Sequence, residues 1–227
     1  MRVSVVVPVF NEEKTLETIH KRILAIQAVD EIIYCNDGSS DNSARILKKL
    51  AEPESVKALH SSANKGKGNA IRKGVQQATG NIILLQDADL EYDPNEYPRL
   101  LAPFADKSVQ IVYGARFKIK KWKAFYLPHY LANRLLTLLT NIIYGSKLND
   151  METGYKVFRK EVFENLQIVS DGFEFEPEFT AKALKYGYRI HEIPISFNPR
   201  NYRQGKKIKF SDAIIAVWVL IKYRLKK

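Results

Sequence analysis

The sequence predicts an α/β protein with a mostly parallel, twisted β-sheet flanked by helices. Strand-like and helix-like segments alternate over the first 115 residues, a pattern typical of βαβ units with right-handed crossovers. The first of these segments, residues 3–9, is a nearly continuous β-branched run, as expected of a strand buried on both faces. With 227 residues, 45% of them hydrophobic and 27% charged, the chain can form a packed core, which excludes global disorder.

Periodicity predicts the elements in order along the chain. Short apolar or alternating segments predict strands at 3–9, 31–35, 56–60, 81–86, 110–114 and 189–195. Apolar residues at helical spacing predict helices at 12–29, 44–50, 68–78, 127–144, 173–186 and 206–225. Asp41 is expected to cap the second helix and Gly80 to close the third. No linker or repeat interrupts the chain, so one domain is expected over 1–227, with halves 1–115 and 116–199 and a basic amphipathic tail 200–227.

Several classes of protein are excluded by short motifs that the sequence lacks. The single cysteine, Cys35, excludes a disulfide-stapled scaffold and a cysteine zinc cluster. The sequence has no Walker A motif, no nucleophile elbow G-x-S-x-G and no G-x-G-x-x-G after the first strand. The N-terminus lacks a signal-peptide pattern, and the longest apolar run, Ala213–Ile221, is shorter than the ~20 residues of a membrane span. An intracellular, non-spanning protein is expected.

The net charge of +11 is concentrated in two segments of the second half. Residues 200–227 carry +8 and residues 114–147 carry +7, which leaves −4 for the rest of the chain. Both segments interleave basic residues with aliphatic and aromatic ones. A solvated lysine-rich face and a surface for an anionic membrane are both open interpretations, and the apolar residues favour the membrane.

Four polar clusters follow the first four predicted strands, at the edge where α/β sheets bind ligands. They lie at 8–12, 36–41, 64–68 and 87–91. Asp87, Asp89 and Glu91 alternate, so in extended backbone they share one face. Such oxygen ligands suit Mg²⁺, which takes one or two carboxylates plus substrate phosphates. A turn or a helix cap before Pro94 is the alternative interpretation of these acids.

The other three clusters each allow a structural and a functional interpretation. Asp37 either accepts hydrogen bonds from a nucleobase or ribose or forms an Asx turn before Gly38. The glycines at 64–68 allow close approach to a phosphate or base, although by itself this loop favours a simple helix start with exposed lysines. Asn11 and Glu12 either bind a ligand or cap the first helix.

Taken together, these motifs resemble glycosyltransferase family 2, and within it the dolichyl- and polyprenyl-phosphate mannose or glucose synthases. The resemblance rests on VVVPVFNE at 5–12, NDGSSD at 36–41, NKGKGNA at 64–70, QDADLE at 86–91, GAR at 114–116 and DMETGYK at 150–156. The segments 174–178 and 203–207 complete a match that covers nearly the whole chain. The resemblance implies a GT-A fold, a nucleoside-diphosphate sugar donor and a divalent cation, Mg²⁺ or Mn²⁺.

The resemblance also assigns roles to individual residues. The donor-nucleotide positions are Pro8, Val9, Asn11, Glu12, Asp37, Lys65, Asp87 and Ala88. The metal positions are Asp89 and Glu91, where some relatives have Gln in place of Glu91. The catalytic positions are Asp89, Arg116 and Arg203, and the acceptor-phosphate positions are Arg116, Arg134 and Lys206.

The activity that these roles imply is inverting transfer of a hexose, mannose or glucose, from GDP-mannose or UDP-glucose to a polyprenyl phosphate. The acceptor phosphate is already largely dianionic at neutral pH, so no strong base is required. The expected location is the cytoplasmic face of a membrane, held there by the helix at 127–144 and the terminal helix, or by a separate membrane protein. The alternatives are transfer to a glycan hydroxyl, with Asp150 or Glu152 as base, and nucleic-acid binding, which the acidic remainder of the chain disfavours.

Overall fold

The computed structural model describes residues 1–116, 127–200 and 210–226. Seven strands form one sheet: β1 (Val3–Val9), β2 (Glu31–Asn36), β3 (Val56–His60), β4 (Ile82–Leu85), β5 (Ile111–Ala115), β6 (Lys156–Arg159) and β7 (Ile190–Pro194). Its described helices are α1 (Leu16–Leu24), α2 (Ser43–Leu50), α3 (Lys67–Gln77), α4 (Tyr97–Leu101), α5 (Leu127–Tyr144), α6 (Lys160–Leu166), α7 (Phe175–Lys185) and α8 (Phe210–Leu225). Short 3₁₀ turns at Pro94–Glu96 and Ala102–Ala105 flank α4.

The strand order is β3-β2-β1-β4-β6-β5-β7. Strands β1 to β4 are mutually parallel, β5 is parallel to β7, and β6 runs antiparallel between β4 and β5. The predicted mostly parallel sheet with flanking helices is therefore confirmed. The central strands are apolar and buried on both faces, because helices cover each side of the sheet.

Three apolar clusters make up the described core. One lies on the face of the sheet covered by α1, α2 and α4, and a second lies on the face covered by α3, α6 and α7. The third cluster joins α5, α7 and α8 and includes Leu136, Met151 and Leu220. The helices α5 and α8 therefore stack on α7 as an outer layer.

Two predicted helix boundaries are wrong. The first helix covers only Leu16–Leu24 of the predicted 12–29, because the segment after it turns back to the sheet, where the Asp30 carboxylate accepts a hydrogen bond from the Val3 amide at 2.7 Å. The third helix ends at Gln77, and Gly80 does not close it. Gly80 instead lies against Ser4, where an added Cβ would come within 2.5 Å of the Ser4 Oγ.

Strand β6 and helices α4 and α6 are absent from the sequence-based expectations. Strand β6 has only four residues, too few to show a period against the motif that precedes it. The predicted cap of α2 is wrong by one residue: the N-cap is Asn42, and Asp41 before it accepts a hydrogen bond from the Ser43 amide at 2.9 Å.

Candidate active site

A cavity of about 920 Å³ lies beyond the carboxyl ends of β1, β2 and β4. The loops that follow these strands form one wall, and residues of α5 and α8 form the opposite wall. The residues named from sequence that line it are Pro8, Val9, Glu12, Asp37, Asp87, Ala88, Asp89, Glu91 and Arg116. Parallel strands bring loops distant in sequence to one edge of the sheet, which explains why these residues converge.

The loop after β4, residues 87–91, is called the acidic loop because it carries the carboxylates of Asp87, Asp89 and Glu91. The Asp89 carboxylate accepts a hydrogen bond from the Glu91 amide at 3.1 Å, and Leu90 between them has φ +65°, which turns the chain sharply. Burial, reinforced by the charges of Asp87 and Glu91, raises the pKa of Asp89 to about 7. A cation placed against this loop would therefore be strongly stabilised.

The Arg200 guanidinium supplies positive charge to this loop. Its Nη2 donates to the Asp89 Oδ2 at 2.8 Å, and both of its terminal nitrogens lie 3.1–3.2 Å from the Glu12 carboxylate. The Arg200 backbone amide donates to the Glu91 Oε1 at 2.7 Å. One residue from the far end of the chain thus contacts three acids of the predicted donor and metal site.

A buried series of ion pairs holds the Asp87 carboxylate in place. The Lys67 ammonium lies 2.8 Å from the Asp87 carboxylate and 3.2 Å from that of Glu176. The second Glu176 oxygen pairs with the fully buried Lys156, whose ammonium also donates to the Thr153 carbonyl at 2.6 Å. Glu176 of α7 therefore connects the acidic loop to the 150–154 loop on the other side of the cavity.

Arg116 and Asp150 form a bidentate pair at the cavity wall. The Arg116 Nε and Nη2 donate to the two Asp150 oxygens at 2.7 and 2.8 Å, and Asn133 of α5 donates to the same carboxylate at 3.0 Å. Although burial opposes ionisation, the Arg116 charge lowers the pKa of Asp150. Asp150 is thus a fixed anion that orients Arg116, and it is poorly suited to accept a proton.

Glu152 contrasts with its neighbour Asp150. It lines the cavity, and its Oε1 is buried with no hydrogen-bond partner among the described residues. Burial, reinforced by Glu176, raises the pKa of Glu152 to about 7. A carboxyl group of this kind exchanges a proton readily near neutral pH.

The acids of the described residues do not form a complete metal site by themselves. Among the described ranges, no group of three or more His, Cys, Asp or Glu side chains forms a metal site by itself. Asp89 and Glu91 nevertheless converge on one guanidinium, so their oxygens already meet at a cationic position. Two carboxylates completed by substrate phosphates match the way proteins bind Mg²⁺, and the residues fit the implied ion.

Sequence comparison agrees with this arrangement. The family described as Glycosyl transferase family 2 matches residues 4–167, which include the acidic loop, the Arg116–Asp150 pair and Glu152. The chain belongs to glycosyltransferase family 2.

The relatives of this family-2 chain include two lipid-phosphate enzymes. It is 29% identical to a dolichol-phosphate mannosyltransferase of Pyrococcus furiosus, over 91% of this chain and 59% of the relative. It is also 29% identical to an undecaprenyl-phosphate 4-deoxy-4-formamido-L-arabinose transferase of Proteus mirabilis, over 90% of this chain and 62% of the relative. The chain thus spans about three fifths of the length of these curated relatives.

Solved structures confirm the GT-A fold of this family-2 chain. Glucosyl-3-phosphoglycerate synthase of Mycobacterium tuberculosis, solved with Mg²⁺ and UDP, superposes with a TM-score of 0.75 at 18% identity, over 98% of this chain and 79% of that one. The same enzyme with Mn²⁺, UDP and its product gives a TM-score of 0.73 at 18% identity, over 99% and 78%.

Three predicted site residues of the family-2 chain lie outside the cavity lining. Asn11 joins two loops, accepting from the Ser40 amide at 2.8 Å. The Lys65 side chain is exposed, while its backbone amide donates to the Asp37 Oδ1 at 3.0 Å. Arg134 is exposed on α5. Successive side chains of an α-helix point about 100° apart, and the preceding residue, Asn133, faces the cavity. Arg203 and Lys206 lie outside the described residues.

The Asp37 carboxylate joins its loop to the 64–68 loop and does not form the Asx turn that was its structural interpretation. Its oxygens accept from the Lys65 and Gly66 amides, the latter at 2.6 Å. Gly66 has φ +106°, and an added Cβ there would come within 2.4 Å of the Asp171 carbonyl oxygen. Asp37 also lines the cavity, so its predicted contact with the donor nucleotide stays a prediction.

Sequence reasoning assigned no role to Lys67, Glu176 or Arg200. Lys67 stands in the same loop as Lys65, and only the start of α3 decides which lysine points inward. Glu176 and Glu178 are both acids of the first turn of α7, with no pattern to distinguish them. Arg200 is one of nine basic residues in the tail, and its proximity to Asp89 is a tertiary contact.

Proposed function

We propose that this chain transfers a hexose from a nucleoside-diphosphate sugar, GDP-mannose or UDP-glucose, to the phosphate of a polyprenyl or dolichyl phosphate. The observation that carries the proposal is the cavity itself, which joins the carboxylates of the acidic loop to the walls of α5 and α8. A polar donor fits the first part and an acceptor with an apolar tail fits the second. Both curated relatives carry a lipid phosphate in their names.

The outer layer of helices supports a lipid acceptor. Helix α5 buries the polar residues Asn133, Thr137 and Thr140 beside Leu136 and exposes other apolar ones, whereas a helix that only packs on a core buries its whole apolar stripe. Helix α8 adds further exposed apolar residues. The exposed large apolar side chains of the two helices are Leu131, Leu135, Leu138, Ile142, Ile214, Ile215, Trp218, Ile221 and Leu225.

These residues, which we call the apolar face, are suited to a membrane surface. Basic side chains at its margin, Lys222 and Arg224, suit anionic headgroups, and the Lys222 ammonium lies 4.7 Å from the Trp218 ring centre. No helix within the described ranges is long and apolar enough to cross a bilayer. We place the enzyme on the cytoplasmic face of a membrane, with the apolar face at the lipid and the cavity above it.

In the proposed reaction, the acceptor phosphate attacks the anomeric carbon of the donor sugar and the nucleoside diphosphate leaves. Arg116, held by Asp150 through its Nε and Nη2, contributes a fixed positive charge at the cavity wall that attracts a phosphate. A divalent cation held by Asp89 and Glu91, Mg²⁺ or Mn²⁺, would neutralise the charge that develops on the diphosphate. Because the acceptor phosphate is already ionised, the protein contributes mainly orientation and electrostatic stabilisation.

The direct test is a transfer assay with purified protein, labelled GDP-mannose or UDP-glucose, Mn²⁺ and a short polyprenyl phosphate. We expect lipid-linked sugar from the wild type and a loss of about a hundredfold or more in Asp89→Asn, with an unchanged melting temperature. The exposed Glu17→Gln serves as a control for the loss of one acid. Full activity of D89N would contradict the metal assignment.

Glu152 favours a second candidate function, transfer of a sugar to a hydroxyl group of a glycan or polysaccharide. A hydroxyl acceptor must lose its proton during attack. Glu152 lies in the cavity wall, its Oε1 has no hydrogen-bond partner within the described parts of the chain, and burial raises its pKa to about 7. Its neighbour Asp150, the other base expected from sequence, is held by Arg116.

The variant Glu152→Gln distinguishes the two acceptors. With a hydroxyl acceptor, loss of the base would lower the rate by about 10²–10⁴-fold, and the wild-type rate would rise through pH 7 as Glu152 loses its proton. With polyprenyl phosphate, no base is needed, so E152Q would retain a rate within about tenfold of wild type. Assays of both proteins with both acceptors at several pH values decide between them.

A further inference from the structure

The segment Ser196–Arg200, here called the strap, runs along the acidic loop and closes it on one side. The Ser196 amide and hydroxyl donate to the Glu96 Oε1 at 3.0 and 2.9 Å. The Asn198 amide donates to the Glu91 carbonyl at 2.9 Å, and the Arg200 amide donates to the Glu91 carboxylate. Backbone hydrogen bonds thus fix the strap so that its last side chain reaches the carboxylates.

The Arg200 side chain occupies the position where these carboxylates meet. It contacts Glu12 on one side and Asp89 on the other, and its Nε lies 4.0 Å from the Glu91 Oε1. The side chain is 18% exposed, so the ion pairs are partly shielded from water. Its contacts are charge-assisted hydrogen bonds, the stronger class in proteins.

A divalent cation on Asp89 and Glu91 would compete with Arg200 for their carboxylate oxygens. Ligand oxygens lie about 2.1 Å from Mg²⁺, and the Asp89 Oδ2 and Glu91 Oε1 are the acceptors of the Arg200 side chain and backbone. A guanidinium and a divalent cation at such close range also repel each other. The two cations therefore exclude one another from these atoms.

We propose that Arg200 is a positioning residue that competes with the divalent cation for Asp89 and Glu91 and leaves them when the metal–donor complex binds. The inference rests on the proposed function, because it takes the cation as part of the donor complex. Arg200 keeps the carboxylates converged and partly neutralised. Once displaced, its guanidinium would still line the cavity, where a donor diphosphate would offer it a new anionic partner.

This exchange couples metal binding to nucleotide binding. A metal ion alone must displace Arg200 with no compensating contact, whereas a metal ion with a nucleoside diphosphate offers the displaced guanidinium a phosphate. The structure thus predicts weak binding of the metal alone and tighter binding with the nucleotide, and the coupling is reciprocal.

The first test measures Mn²⁺ binding from the free-ion electron paramagnetic resonance signal, with and without UDP or GDP. Without nucleotide, we expect Arg200→Gln to bind Mn²⁺ about tenfold more tightly than the wild type. With nucleotide, the difference between the two proteins should shrink. The exposed Arg22→Gln, which also removes one positive charge, should match the wild type. Unchanged or weaker Mn²⁺ binding by R200Q would overturn the proposal.

The second test separates displacement of Arg200 from a general effect of its charge. Amide hydrogen exchange in the wild type should speed up at Arg200 when Mg²⁺ and nucleotide are added, because the Glu91 carboxylate turns away from the Arg200 amide. Unchanged protection with saturating ligands would show that the strap stays in place and would overturn the proposal.

The two measurements also distinguish failure of this inference from failure of the proposed function. If the wild type binds Mn²⁺ only with nucleotide while R200Q binds it identically, the competition is wrong and the metal-dependent function stands. If neither the wild type nor R200Q binds Mn²⁺ even with nucleotide, the metal assignment and the competition are both wrong.

Discussion

At the scale of single residues, Glu31 shows how a buried carboxylate stabilises the fold. Glu31, at the end of the sheet opposite the cavity, accepts hydrogen bonds from Thr79 at 2.5 and 2.8 Å and from Lys57 at 3.1 Å. Although burial alone would raise it, these contacts together with Ser4 lower the pKa of Glu31 from 4.5 to about 2. Glu31 therefore stabilises the fold in its ionised form.

The pH dependence of the stabilisation by Glu31 follows from the lowered pKa of its carboxyl group. The stabilisation is fully present above pH 4.5, the ordinary value, and is lost as the pH falls toward 2. We expect Glu31→Gln to lower the free energy of unfolding by about 3 kcal/mol at pH 7, and by less near pH 3. Urea unfolding at both pH values measures this, with the exposed Glu17→Gln as control. An equal difference at pH 7 and pH 3 would contradict the assignment.

Helix α7 carries two buried glutamates, Glu176 and Glu178. We expect Glu176 to position the site and Glu178 only to stabilise the fold. Glu176 connects the lysines behind both walls of the cavity, whereas Glu178 binds the Ser170 amide at 2.7 Å and the Tyr223 hydroxyl at 2.8 Å away from the cavity lining. Removing one partner of a buried ion pair is expected to cost about 3–5 kcal/mol in either case.

Only Glu176→Gln should impair catalysis beyond this loss of stability. We expect its kcat to fall by about a hundredfold, because a displacement of about 1 Å between the two walls has that effect, while KM for the donor changes little. Glu178→Gln should keep kcat near the wild-type value. Kinetics below the melting temperature of both variants test this, and equal losses of kcat would reduce Glu176 to a structural role.

At the scale of elements, α5 and α8 show why periodicity alone is ambiguous. Both helices have the predicted apolar spacing, but that spacing does not say which face is covered. The structure buries the Asn133–Thr137–Thr140 face of α5 against the 150–151 segment, where the Met151 amide donates to the Thr137 hydroxyl at 3.3 Å. Leu131, Leu135 and Leu138 are thereby left outward on the apolar face, whereas Leu136 packs in the third cluster.

The apolar face predicts binding to lipid vesicles. Replacing Leu135 and Trp218 together by Ser should lower the fraction bound to mixed neutral and anionic vesicles by about tenfold or more, since two large apolar contacts are lost. Cosedimentation measures that fraction. Leu24→Ser, at an equally exposed leucine of α1, is the control and should bind like the wild type. Undiminished binding of the double variant would remove the apolar face from the proposal.

At the scale of the whole molecule, the cavity is assembled from segments that span the chain from Pro8 to Ala216. A ligand that binds there contacts both halves of the chain, so binding stabilises the folded protein as a unit. The effect on stability is therefore a test of the site that does not depend on turnover.

Thermal unfolding with nucleotide sugars provides that test. We expect UDP-glucose or GDP-mannose with Mn²⁺ to raise the melting temperature, with a gain of about 2.7 kcal/mol at a ligand concentration one hundred times Kd. EDTA should abolish the shift. A shift with one donor alone would identify the nucleotide, and no shift with either donor would contradict the donor site.

The sequence by itself determined the sheet, its parallel core and the loops that carry the acids. Local pattern suffices there, because β-branched strands and the polar residues that follow them are adjacent in the chain. It also identified Asp89, Glu91 and Arg116 as members of one site through the resemblance to family 2. Tertiary structure alone decided which of several similar residues face the cavity.

Three contacts show the physical reason. Arg200 lies more than a hundred residues from Glu91 and Asp89, Lys67 rather than Lys65 reaches Asp87, and Glu176 rather than Glu178 joins the two walls. Each choice depends on the rotation of a helix or the path of a loop across the finished sheet. Such orientations are set by packing between distant segments, and no local pattern of residue types contains them.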